Sequence, residues 1–176
     1  TLEKKLGKLN IIVEDLGFLT DSVKQLLKDS GYPGMKVLQF AFDSRDTGSA
    51  NDYLPHNYTH NCVVYTGTHD NDTVMGWYDT LKGADKKLCD DYLRLKNADG
   101  EPIPREQIPW EFVRAAMSSV ADMAIIPMQD YLGLGSEARI NIPSTLGINW
   151  MWRMGNGDFT KELAGRIRSM TKLYGR

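Results

Sequence analysis

Apolar residues along the chain fall into short runs that end abruptly in polar ones. Residues 9–13 read Leu-Asn-Ile-Ile-Val and stop at Glu14-Asp15-Leu16-Gly17, which predicts a buried strand with carboxylates at its C-terminal end. Thr20 and Asp21 suit a helix start, Val23, Leu26 and Leu27 share one helical face, and Gly31 with Pro33 stops the helix. The alternation then repeats. Residues 35–42 are strand-like and run into Asp43 and a polar loop containing Asp46, Gly48 and Asn51. A third strand is predicted over 62–66, closing in Thr68-His69-Asp70-Asn71-Asp72. Helical patterns follow over about 73–81, 85–96 and 110–120, separated by Gly83 and by the loop 100–109. A fourth strand is predicted over 123–127, ahead of a glycine-punctuated loop, and a helix from about 158 to 173 closes the chain.

Four strands that are apolar on both faces and separated by crossovers predict a parallel α/β architecture, because parallel strands need long connections and are covered on both sides. Periodicity leaves open whether they form an open sheet or part of a barrel. No repeat of fixed period, low-complexity tract or linker divides the sequence, so residues 1–176 read as a single unit.

Composition removes several classes. An apolar fraction of 41% with 25% charged residues fits a folded globular chain and not disorder, collagen or a disulfide scaffold. A net charge of −2 provides no basic field for nucleic acid. No stretch approaches the eighteen or so apolar residues of a membrane span, and no signal peptide opens the sequence. Cys62 and Cys89 lack paired metal or redox spacing, which points to a reduced, cytoplasmic setting. The first residue, Thr1, is not methionine, as expected of a piece of a longer or processed chain.

Polar groups that end successive strands of a barrel converge on one pocket, and here those groups are Glu14, Asp43, Asp70 and Asp130. Two carboxylates flanking an anomeric carbon are what retaining glycosidic chemistry requires, and a third can favour the charged transition state. Plainer readings stand beside this one. Glu14 and Asp15 also suit a solvated pair near a helix N-terminus, and 69–72 also suits a polar turn or a metal site. The latter lacks a second His/Asp cluster at ligand spacing. Gly133 to Gly135 matches neither phosphate-loop pattern and reads as a plain loop. Trp77, Trp150 and Trp152 could stack on sugars, but packing is the commoner role of such aromatics.

Several runs resemble, in order, motifs of the amylomaltase and disproportionating-enzyme family of 4-alpha-glucanotransferases. They are Val13-Glu14-Asp15-Leu16-Gly17, Pro33-Gly34-Met35-Lys36-Val37-Leu38-Gln39-Phe40-Ala41-Phe42, Tyr53-Leu54-Pro55-His56-Asn57-Tyr58 and Tyr65-Thr66-Gly67-Thr68-His69-Asp70-Asn71-Asp72. Gln129-Asp130-Tyr131-Leu132-Gly133-Leu134-Gly135-Ser136-Glu137-Ala138-Arg139 and Asn149-Trp150-Met151-Trp152-Arg153 continue the series across almost the whole chain.

The resemblance implies the C-terminal half of a (β/α)8 TIM barrel, strands five to eight, incomplete as given. It implies an α-1,4-glucan donor and a glucose or maltooligosaccharide acceptor, with no metal or organic cofactor. By the same resemblance Glu14 is the general acid and base, Asp70 the transition-state stabiliser and His69 a sugar contact at the cleavage point. Asp15, Asp43 and Asn141 are then more peripheral substrate contacts.

The family's nucleophile lies in an Arg-x-Asp-His segment ahead of the proton donor, and the 176 residues contain no such segment. The chain alone is therefore expected to be inactive in transfer, and its open sheet edges lead to self-association or poor stability. Alternative functions are a non-catalytic glucan-binding fragment, an α-amylase-type glucan hydrolase and, as an outsider, a metal-dependent hydrolase built on His69 and Asp70.

Overall fold

The computed structural model describes residues 2–7, 9–17, 19–43 and 50–176. Asp46 and Gly48 of the expected polar loop lie outside them. The helices are α1 (Leu2–Leu6), α2 (Asp21–Ser30), α3 (Val74–Thr80), α4 (Gly83–Leu93), α5 (Ile108–Met117), α6 (Met128–Leu132) and α7 (Lys161–Leu173). Among the described residues there are three strands, β1 (Gly34–Val37), β2 (Cys62–Tyr65) and β3 (Met123–Ile125).

The strands form one parallel sheet in the order β1-β2-β3. Its register aligns Met35 with Val63 and Met123, and Val37 with Tyr65 and Ile125. Because side chains alternate across a sheet, these two rows share one face, while Cys62, Val64 and Ala124 point to the other. That second face packs on Ala116 of α5 and on Ala121.

The main core lies between residues 38–42, which follow β1, and helices α3, α4 and α5. Leu38, Phe42, Val74, Leu93 and Phe112 are buried together there. Phe42 and Trp77 meet Phe112 at 6.0 and 5.8 Å between ring centroids, both edge-on, so Trp77 is a packing residue. A smaller cluster seats α7 on α5 through Leu163, Ile167 and Met170 against Trp110, Val113 and Met117.

Local signals explain several helix ends. Gly31, at φ 68°, closes α2 with its N–H on the Lys28 carbonyl. Thr73 caps α3 by accepting the Gly76 N–H. Helix α4 begins at Gly83, so the residue expected to separate two helices opens the second one instead.

Three sequence expectations need correction. Residues 9–13 form no strand: among the described residues their one backbone bond is from the Val13 N–H to the Pro33 carbonyl, 2.9 Å. A β-branched run favours extended backbone, but a strand also needs a ladder. The strand expected over 35–42 leaves the sheet after Val37 and continues as a 3-10 helix, Leu38–Phe42, which buries Leu38, Ala41 and Phe42 in the main core. Finally, β3 is not covered on both faces, since Met123 and Ile125 are 49% and 38% exposed.

Candidate active site

A cleft of about 610 Å³ opens at the carboxyl ends of the strands. Met35, Tyr65 and Ile125, one from each strand, supply its apolar floor, and Glu14, His69, Asp70 and Gln129 supply polar groups. Parallel strands aim their C-terminal ends at one side of the sheet, so the loops that follow them meet there.

Glu14 enters the cleft because both its neighbours are tied down. The Val13 N–H bonds Pro33, and Asp15 turns the opposite way, buried, with Oδ1 accepting the Met35 N–H at 2.6 Å. Gly34 makes that approach possible, since a Cβ there would lie 2.6 Å from Asp15 Oδ2. Across the cleft floor, burial raises the Tyr65 phenol above its ordinary range and the nearby Glu14 carboxylate raises it further.

His69 and Asp70 stand on the loop between β2 and α3. Asp70 Oδ1 accepts the Asn141 side-chain amide at 2.6 Å, and His69 Nε2 is 3.4 Å from the same oxygen. The Asn141 N–H also donates to the His69 carbonyl, 3.1 Å, and the Arg139 guanidinium donates to the Asp70 carbonyl, 2.7 Å. Trp150, held at φ 65° with its N–H on the Ile140 carbonyl at 2.7 Å, lies 5.0 Å from the His69 ring. It is 55% exposed, so unlike Trp77 it presents a ring face to solvent beside the cleft.

Four strand-end carboxylates were expected to share one pocket, and only two do. Glu14 and Asp70 line the cleft together. Asp43 lines an adjoining hollow of about 470 Å³ that meets the first at Leu16 and Phe40. Asp130 is 1% exposed and sits beneath the β2–α3 loop, where it accepts the Thr66 hydroxyl at 2.5 Å and the Val74 N–H at 2.8 Å. Burial pushes its carboxyl up to about 6, with Asp72 adding to the rise and the two hydrogen bonds opposing it.

Of the other expected contacts, Asn141 meets Asp70 itself, and Asp15 points away from the cleft. Sequence reasoning gave no role to Arg139 or Tyr65. No local pattern marks either, since their partners are remote in the chain. Among the described residues, no group of three or more His, Cys, Asp or Glu side chains could hold a metal ion. No helix among them is long and apolar enough to cross a membrane.

The buried Asp15 makes a first prediction. Removing its carboxylate leaves the Met35 N–H without its acceptor, so Asp15→Ala in the natural protein should cost about 1–3 kcal/mol in denaturant unfolding. Unaltered stability would instead show that the Asp15 carboxylate does not anchor β1.

Parallel strands with carboxylates gathered at their C-terminal ends define an α/β protein. The Glyco_hydro_77 family model, described as 4-alpha-glucanotransferase, matches residues 1–158. The chain belongs to this 4-alpha-glucanotransferase family. It is 48% identical to the 4-alpha-glucanotransferase of Clostridium butyricum, with 99% of this chain and 34% of the relative covered. Against the chloroplastic/amyloplastic enzyme of Arabidopsis thaliana the identity is 47%, covering 99% and 29%.

Among solved structures, the amylomaltase from Streptococcus agalactiae in complex with acarbose superposes with a TM-score of 0.89 at 36% identity, covering 99% of this chain and 34% of that one. The chain thus spans about a third of the length of the relatives it matches. Its fold is that of the C-terminal part of an amylomaltase barrel.

Proposed function

We propose that this chain supplies the acid/base side of a 4-alpha-glucanotransferase site, in a protein that moves a segment of an α-1,4-glucan to the 4-hydroxyl of glucose or a maltooligosaccharide. The observation that carries the reading is that Glu14 and Asp70, far apart in sequence, line one cleft. In this reading the 176 residues act as one unit and hold barrel strands five to eight, with 9–13 running where the fifth would lie.

The chemistry is a double displacement. Glu14 gives its proton to the glycosidic oxygen as the bond from that oxygen to the anomeric carbon breaks. A carboxylate outside this chain forms the new bond to that carbon. Glu14 then takes the proton of the acceptor hydroxyl, whose oxygen displaces the carboxylate, and the α configuration is retained. Asp70 faces the sugar that carries the developing positive charge. Asn141 orients Asp70, and His69 donates to a sugar hydroxyl. Asp43 meets the chain further along the adjoining hollow.

The free, buried Cys62 and Cys89 suit a reducing cytoplasm. Taken alone, the 176-residue chain binds glucan at most, and its exposed Met123 and Ile125 favour self-association.

The test is incubation of the natural protein with maltotriose. Transfer yields longer α-1,4 products while the number of reducing ends stays constant. Rising reducing ends without longer products would make the protein a hydrolase, and activity in the isolated 176-residue chain would overturn its dependence on an outside nucleophile.

A further inference from the structure

The loop that carries His69 and Asp70 leaves β2 at Thr66 and joins α3 at Val74, and one side chain holds both ends. Asp130, in the first turn of α6, accepts the Thr66 hydroxyl on Oδ2 at 2.5 Å and the Val74 N–H on Oδ1 at 2.8 Å. It is 1% exposed and does not line the cleft. Thr73 caps α3 through the Gly76 N–H, and Asp130 takes a second of that helix's free first-turn donors, the Val74 N–H, but capping does not account for its other bond, to Thr66 at the far end of the loop.

The rest of the loop is held from below. Gln39 Nε2 donates to the Asp72 carbonyl at 2.9 Å, and the Ser136 hydroxyl donates to Asp72 Oδ2 at 2.6 Å. Gly67 passes so close to Gln39 that a Cβ there would lie 2.7 Å from Nε2.

Resting on the transferase reading above, we propose that Asp130 is a positioning residue for glucan transfer. It pins the first and last residues of the loop and so fixes where the Asp70 carboxylate meets the sugar opposite Glu14. A carboxylate suits the task because its two oxygens diverge and each accepts a separate donor. Burying one is costly, which is why its carboxyl titrates high, and a residue serving only to fill space would carry no such cost. The effect on catalysis follows from geometry. A stabilising group displaced by about 1 Å can cost ~100-fold in rate.

Three variants of the natural protein test this. Thr66→Val removes the bond at the start of the loop at equal volume, and Asp130→Ala removes both bonds. Each is expected to lower kcat for maltotriose transfer ~10- to 100-fold with KM within about 2-fold, the pattern of an interaction made only in the transition state. Asp130→Asn is expected to restore most of kcat, since its carbonyl accepts the Val74 N–H and its amide donates to the Thr66 hydroxyl.

A merely structural Asp130 would lower the unfolding temperature and leave kcat of the folded enzyme intact. That result in Thr66→Val and Asp130→Ala would overturn the proposal. If Asp130→Ala does not fold, Thr66→Val decides. Amide order parameters for 67–73 separate the two readings. They should fall in Thr66→Val, and unchanged order overturns the positioning role whatever the activity. A wild-type protein that transfers no glucan while Thr66→Val still loosens the loop would overturn the transferase reading alone.

Discussion

Glu14→Gln in the natural protein should lower glucan transfer by about 10²–10⁴-fold, the range that one positioned acid/base group contributes. Glutamine keeps the size and hydrogen-bonding shape of the side chain, so the Val13 and Asp15 anchors on either side stay in place. What it loses is the ionisable carboxyl that, in the proposed mechanism, protonates the leaving oxygen and then deprotonates the acceptor hydroxyl. Both steps therefore slow, while glucan binding measured by calorimetry persists. Equal loss of binding and turnover would make Glu14 a contact residue, and the protein a glucan binder whose chemistry lies elsewhere.

Asp70→Asn should cost ~10²–10³-fold in kcat, comparable to removing one preorganised electrostatic group from a transition state. The variant is close to isosteric. Its side-chain carbonyl can still accept the Asn141 amide, so the loop should hold its shape. In the proposed mechanism the lost negative charge matters only while positive charge develops on the sugar, so kcat and kcat/KM should fall together. Unfolding stability should hardly change, because the side chain is about half exposed. If KM alone rises, Asp70 binds the ground state, and the charge stabilisation assigned to it belongs to another group.

Much of this architecture is legible in the sequence where signals are local. Helix α2 announces itself through its apolar face and through Gly31, whose positive φ needs no Cβ. The strand cores β2 and β3 fall inside their apolar runs. The segment 9–13 misled because a β-branched run reports burial and extension and says nothing of a ladder partner. Residues 38–42 misled because an apolar run reads the same in a strand as in a 3-10 helix packed into a core. Helix α6 escaped because five residues are too few to show helical periodicity.

The site divides along the same line. Glu14 and Asp70 stand out as carboxylates ending apolar runs, although their roles come from the family resemblance and not from spacing. Asp130 ends a run in the same way but is turned inward by Thr66 and Val74, partners 64 and 56 residues away. The bond between Asn141 and Asp70 spans 71 residues. Contacts of that range are set by which loops the parallel sheet brings to one end, and that is settled only once the chain has folded.

The most direct test is a structure of the natural protein's Glu14→Gln variant with a maltooligosaccharide bound. The expected result is one glycosidic oxygen within about 2.6–3.2 Å of the position 14 side chain. The Asp70 carboxylate should reach the hydroxyls of the sugar on the non-reducing side of that same bond. An oligosaccharide seated outside this cleft, or one whose scissile bond only one of the two side chains can reach, would contradict the assignment.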